Sequence, residues 1–207
     1  MEILRLVLCV LAWMGRTVVR KRIACIGWGS LVWDHRSLPV VGEWMTDGPL
    51  LPIEFARESA DGRITLVLCD DVSEVQACWA LISVEDVSYA IEVLAEREGI
   101  TTGISKNIGW WDASDGKSCG KCADQIEAWA KEHWLDGVVW TNLPCGLKNA
   151  RGSMPTQTEV LKHLESLGDE LKDNAMSYVT NAPRQIDTAY RRAIEAEWCP
   201  FRKKDNT

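Results

Sequence analysis

The stretch "RIACIGWGSLVWD", residues 22 to 34, decides how this chain is read. An apolar run ends in Gly27-Trp28-Gly29-Ser30, and the chain resumes through Leu31, Val32 and Trp33. Residues 23 to 28 have the composition of a buried strand. Two glycines directly after such a strand signal that something comes close to the main chain. A dinucleotide is one candidate. Here Val32 occupies the place of the third glycine in G-x-G-x-x-G, and "WDHRSLP" does not read as the helix whose N-terminus would hold a pyrophosphate. That reading is set aside. The bland alternative is a tight turn at a strand end.

Working outward, 207 residues suit one domain with a full core. Residues 1 to 21 read as an N-terminal extension and 22 to 207 as a single domain. A net charge of −7 and a pI near 5.1 argue against nucleic acid, whose phosphates need a basic surface. The eight cysteines sit in a chain too core-rich to need disulfide staples, so a reducing, cytoplasmic setting is expected. "LVLCVLAWM", residues 6 to 14, is too short to span a bilayer and lacks the flanks of a secretory signal. No stable membrane span is expected. Eleven tryptophans against two phenylalanines point to an aromatic-lined cavity or, more plainly, to packing.

Residues 50 to 71 read as a β-hairpin, with strands at about 51 to 57 and 63 to 69 turning at Asp61-Gly62. "VQACWALI", residues 75 to 82, is a third strand. A helix capped by Ser83 follows, with Val84, Val87, Ile91 and Leu94 on one face and Gly99 as terminator. "CADQIEAWAKEHWLDG" reads as a second helix and residues 137 to 143 as another buried strand. Two further helices are expected from Thr156 to about Leu171 and from Arg184 to about Glu197. This order predicts a mixed α/β fold, a largely antiparallel sheet or small barrel with helices packed outside.

The opening stretch resembles the γ-glutamylcyclotransferase-like superfamily, whose signature is a strand followed by aromatic-Gly-Ser-Leu. It stands here as Trp28-Gly29-Ser30-Leu31. "GRITLVL", "VQACWALI" and a helix ending in "REG" repeat the order of the glutathione-specific cyclotransferases across residues 23 to 110. The later "YVTNAPRQIDTAYRRAIE" is similar to an uncharacterised bacterial branch. The resemblance implies a transferase- or lyase-type enzyme without metal or cofactor. The α-amine of a γ-glutamyl group attacks its own γ-carbonyl, giving 5-oxoproline and a free amine. It also implies a glutamate base, which falls on Glu98, and a substrate-carboxylate cradle made by Gly27, Trp28, Gly29, Ser30 and Leu31.

Local chemistry is compatible with both roles. A glutamate in the last turn of a helix faces the negative end of the dipole, which disfavours the anion by ~0.3–1 kcal/mol and suits a proton acceptor. On its own, a glutamate at a helix end reads as a solvated surface group. The glycines permit a nest of N–H groups, and Ser30 adds a hydroxyl. Tryptophan at position 28, in place of the usual tyrosine, removes the phenol oxygen from that position. Ala80 replaces a usual glycine. Glu54 and Arg57, in "PIEFAR", are further candidates for substrate binding, with a guanidinium suited to a carboxylate. They read equally as an exposed pair on a hairpin.

Two alternatives stand beside this reading. One is a non-catalytic protein on the same fold that binds a small anion. The other is a thiol-redox or metal protein acting through Cys119 and Cys122, which precede a helix as reactive thiols do. The surrounding "WWDASDGKS" reads as a loop, and no second C-x-x-C completes a zinc site. His35, His133 and His163 are scattered and read as surface or packing residues.

Overall fold

Strand β1 (Ile23–Gly27) is buried along its whole length, and the fold is arranged around it. A computed structural model describes residues 21 to 198 of the chain. β1 pairs antiparallel with β7 (Cys78–Ile82) on one side and parallel with β10 (Gly137–Thr141) on the other. The sheet continues outward to β2 (Val40–Met45) beyond β7, and to β8 (Ile108–Asp112) and β9 (Lys117–Cys119) beyond β10. All of these pairs except β1/β10 are antiparallel.

Alternation along β1 separates two cores. Ile23 and Cys25 face α1 (Val87–Glu98), which closes one side of the sheet with Val87, Ala90, Val93 and Leu94. Ala24 and Ile26 face the larger core. That core is shared with the hairpin of β4 (Ile53–Glu58) and β5 (Ile64–Leu68), and with four helices. These are α3 (Ala123–Glu132), α4 (Gln157–Glu165), α5 (Asp169–Asn181) and α6 (Ala189–Trp198). With the short α2 (Ile104–Asn107), the described residues form six helices and a mixed α/β architecture.

Several expectations are corrected. The sheet is open rather than a closed barrel among the described residues. Residues 75 to 82 divide into β6 (Val75–Gln76), which pairs with β3 (Leu50–Leu51), and β7. Asp86, not Ser83, caps α1, accepting a hydrogen bond from the Tyr89 N–H at 2.8 Å. The span from 156 to 171 breaks at residues 166 to 168, where Gly168 stands at the N-cap of α5. The last helix starts at Ala189, past a turn at Pro183. "WWDASDGKS" is no loop but the β8–β9 hairpin, carrying the buried Trp111.

Five of the tryptophans serve packing. Trp28, Trp79, Trp111, Trp129 and Trp140 all belong to the larger core. Trp79 and Trp129 meet edge-to-face at 5.2 Å, a favourable ring geometry. No helix among the described residues is long and apolar enough to cross a membrane. The apolar run at 6 to 14 lies outside the described residues.

Candidate active site

The chain leaves β1 through residues 27 to 31, and α1 ends nearby at Glu98 and Gly99. Gly99 adopts the left-handed conformation (φ 67°) that closes the helix. Both segments line one cavity of about 600 Å³. Other walls come from the β4–β5 hairpin (Arg57, Arg63, Thr65, Leu66), from Asn107 and Thr141, and from Tyr178 on α5. The cavity thus sits at the C-terminal ends of the parallel pair β1/β10, bounded by α1 and the hairpin.

Glu98 is held by its neighbour. Arg97 Nη1 donates to Glu98 Oε1 at 2.7 Å, and Arg97 is only 4 % exposed. Its Nη2 donates to Ser30 Oγ at 3.3 Å and to the Asp34 carbonyl oxygen. One buried guanidinium therefore ties the acid at the end of α1 to the loop after β1. The helix terminus repels the carboxylate while Arg97 attracts it. Arg97 Nε is buried without a hydrogen-bond partner among the described residues.

The loop departs from a nest. None of residues 27 to 31 has a positive φ, so the glycines are not required by the backbone conformation. Close approach requires them instead. A Cβ on Gly27 would lie 2.8 Å from the Trp44 ring, and a Cβ on Gly29 would overlap the Tyr178 phenol oxygen. The main-chain N–H groups of Gly29 and Leu31 have no hydrogen-bond partner among the described residues. They are the loop's free donors. The Trp28 ring turns into the core, and its indole N–H donates to the Leu66 carbonyl at 3.2 Å. Only the Trp28 main chain remains for a ligand.

Arg57 and Glu54 separate. Four arginines line the cavity: Arg36, Arg57, Arg63 and Arg97. Three are paired, Arg36 with Asp34, Arg63 with Asp61 and Arg97 with Glu98. Arg57 has no carboxylate partner among the described residues; its Nη1 donates to the Pro144 carbonyl at 2.8 Å. Burial and then the neighbouring Arg151 draw Arg57 below the ordinary guanidinium range. A bound anion would relieve both effects.

Glu54 is not among the lining residues. It is 2 % exposed and points to the start of α6. There it accepts from the Phe55 N–H at 2.8 Å, from the Thr188 hydroxyl and from the Tyr190 N–H at 3.2 Å. Burial pushes its carboxyl above the ordinary range, against the pull of those bonds. The placement of Glu54 in the substrate site, and its reading as exposed, are corrected: its side chain anchors a helix.

The remaining candidates lie elsewhere. Cys119 is exposed at the end of β9, and Cys122 stands at the N-cap of α3 with φ 59°. Burial pushes the Cys122 thiol up, opposite to the shift of an activated nucleophile. Among the described residues, no three His, Cys, Asp or Glu side chains group so as to hold a metal ion. His133 stacks on Trp129 at 4.5 Å, and His163 Nε2 lies 2.7 Å from the Gly62 carbonyl oxygen.

Tyr178 and Arg97 are the site residues that sequence reasoning missed. Arg97 stood in the quoted "REG", and a cation in the last helical turn complements the dipole. Tyr178 had no local signal, because tertiary packing alone brings α5 to the loop. Comparison with protein-family models, curated proteins and solved structures finds no match to this chain.

Proposed function

We propose that this protein is a γ-glutamylcyclotransferase-like enzyme, acting on a small-molecule γ-glutamyl amide in the cytoplasm. The observation that carries the reading is that Glu98 and residues 27 to 31 line one cavity, with the unpaired Arg57 in the same wall. The free N–H groups of Gly29 and Leu31, and the Arg57 guanidinium, offer two places for an anion. A reducing compartment accords with the six described cysteines, all free thiols.

In this mechanism the substrate's α-amine loses a proton to Glu98 and attacks its own γ-carbonyl. A C–N bond forms, and a five-membered ring closes. Glu98 returns the proton to the departing nitrogen as the original amide C–N bond breaks. The products are 5-oxoproline and a free amine. A positioned base of this kind contributes about 10²–10⁴-fold. Holding the chain folded back on itself supplies the rest through proximity.

The Arg97–Glu98 ion pair favours a second reading, because it already engages the carboxylate. In that reading the cavity binds a small anion without chemistry. Incubation with a panel of γ-glutamyl peptides, glutathione included, separates the two. The enzyme reading expects 5-oxoproline to appear with wild type and to fall about 10²–10⁴-fold in Glu98→Gln. Gln at 98 still offers Arg97 Nη1 an acceptor, so the fold is spared. No product from any member of the panel leaves the binding reading.

A further inference from the structure

We infer that Tyr178 is a catalytic hydrogen-bond donor to the carbonyl oxygen that reacts in this cavity, an inference that rests on the cyclotransferase reading. The phenol is fixed before any ligand arrives. Its ring stands 5.3 Å from Trp33 and 6.2 Å from Phe55, edge-to-face with both, and the Arg63 guanidinium lies 5.4 Å from its centroid. The oxygen occupies the space that a side chain at position 29 would fill. Gly29 is thus the residue that lets a phenol reach the loop.

The bonding at that oxygen sets the direction of its proton. A phenol has one O–H to give and lone pairs to accept with. Tyr178 Oη accepts from the Leu66 N–H at 3.4 Å. With its acceptor side turned to that backbone donor, the O–H is left to point away from it. No acceptor for it is found among the described residues, and the residue lines the cavity. The open direction for the proton is the cavity.

The surrounding charges keep that proton in place. Burial pushes the Tyr178 hydroxyl up to about 12, the Glu98 carboxylate adding to the rise, while the Leu66 and Ser30 N–H groups and Arg63 oppose it. At neutral pH the group is a donor rather than a phenolate. Trp28 completes the arrangement: its indole N–H bonds the Leu66 carbonyl while Tyr178 bonds the Leu66 N–H. The phenol oxygen that tryptophan cannot supply at position 28 is delivered from α5 instead.

As the α-amine adds to the γ-carbonyl, the C=O electron pair moves onto oxygen. It returns when the C–N bond to the leaving amine breaks. Tyr178 keeps its proton throughout and stabilises the charge in between. Removing one such donor costs about 10²–10³-fold in turnover.

The test compares wild type, Tyr178→Phe and a fluorotyrosine placed at 178, with 5-oxoproline release and 5-oxoproline binding by calorimetry as readouts. The proposal expects Tyr178→Phe to lose about 10²–10³-fold in kcat with KM changed little. It expects the more acidic fluorotyrosine to retain activity near neutrality and to bring the alkaline limb of the pH profile to lower pH. A phenol that only props the loop would leave that limb in place. Turnover of Tyr178→Phe within threefold of wild type, or an unmoved limb, overturns the donor role while the cyclotransferase reading stands. If wild type releases no 5-oxoproline from any γ-glutamyl amide, that reading fails and binding decides. The catalytic role then falls with it; binding of 5-oxoproline weakened tenfold or more in Tyr178→Phe leaves Tyr178 as a hydrogen-bond donor to a bound carbonyl, and equal or absent binding overturns that as well.

Discussion

Glu54, on the β4–β5 hairpin, and Glu98, at the end of α1, put two carboxylates into opposite surroundings. Glu54 is buried and accepts from three donors around the start of α6. Glu98 is partly exposed, accepts from Arg97, and faces a cavity. The first commits both its oxygens to three hydrogen bonds inside the fold and does not line the cavity. The second has one oxygen with no hydrogen bond among the described residues, and it lines a space large enough for a small molecule. A carboxylate available for proton transfer is recognised by what it leaves unbonded rather than by how deeply it is buried.

The two can be broken in opposite ways. Glu98→Gln should give the largest effect, the loss of about 10²–10⁴-fold in 5-oxoproline release, with little change in the urea midpoint. Glu54→Ala should do the reverse. It strands the N–H groups of Phe55 and Tyr190 and the Thr188 hydroxyl, at about 1–3 kcal/mol for each group left unsatisfied. A net loss of about 2–4 kcal/mol by urea unfolding is expected, with turnover per folded molecule unchanged. Turnover abolished in well-folded Glu54→Ala would collapse the distinction.

Gly29→Ala comes next. Its Cβ would collide with the Tyr178 hydroxyl, and overpacking of this kind costs about 1–3 kcal/mol. Tyr178→Phe in the same chain should recover part of that loss, and the double-mutant cycle measures the recovery. Strict additivity would place the phenol oxygen elsewhere.

The smallest effect is the pH dependence of Glu54. Its folded carboxyl titrates above the ordinary range, so between the unfolded and folded values the native chain holds a proton that the unfolded chain has lost. This contribution to stability is complete below the unfolded value. It is lost as pH rises through the folded one, by at most about 1.4 kcal/mol per pH unit. The difference in unfolding free energy between wild type and Glu54→Gln, measured against pH, should show that slope and no other.

Much of the scaffold was legible in residues. β1, the Asp61-Gly62 hairpin, the Gly99 stop and the strand at 137 all carry local signals, because burial period and turn chemistry act over a few residues. The β8–β9 hairpin was not, because "DASDG" hid two short flanking strands that pair with each other, and β8 finds its other partner, β10, only beyond the intervening α3. Ser83 and Asp86 both had capping chemistry, and only the backbone path chose between them. At the site, Glu98 and the glycines could be proposed through resemblance. The assignment of Glu54 failed because strand alternation gives a face, not what covers it, and α6 covers that face. Tyr178 could not be found, since 148 residues lie between it and Gly29 by their numbers in the chain.

The central place of β1 has a further consequence. Its amides are laddered on both edges and its side chains covered on both faces. The Cys25 and Ile26 amide protons should therefore exchange with solvent only when the whole domain opens. A molecule seated on residues 27 to 31 grips the end of that strand, so its free energy of association is read as resistance of the entire domain to melting. Thermal shift would rank candidate ligands for this cavity without any assumption about the reaction.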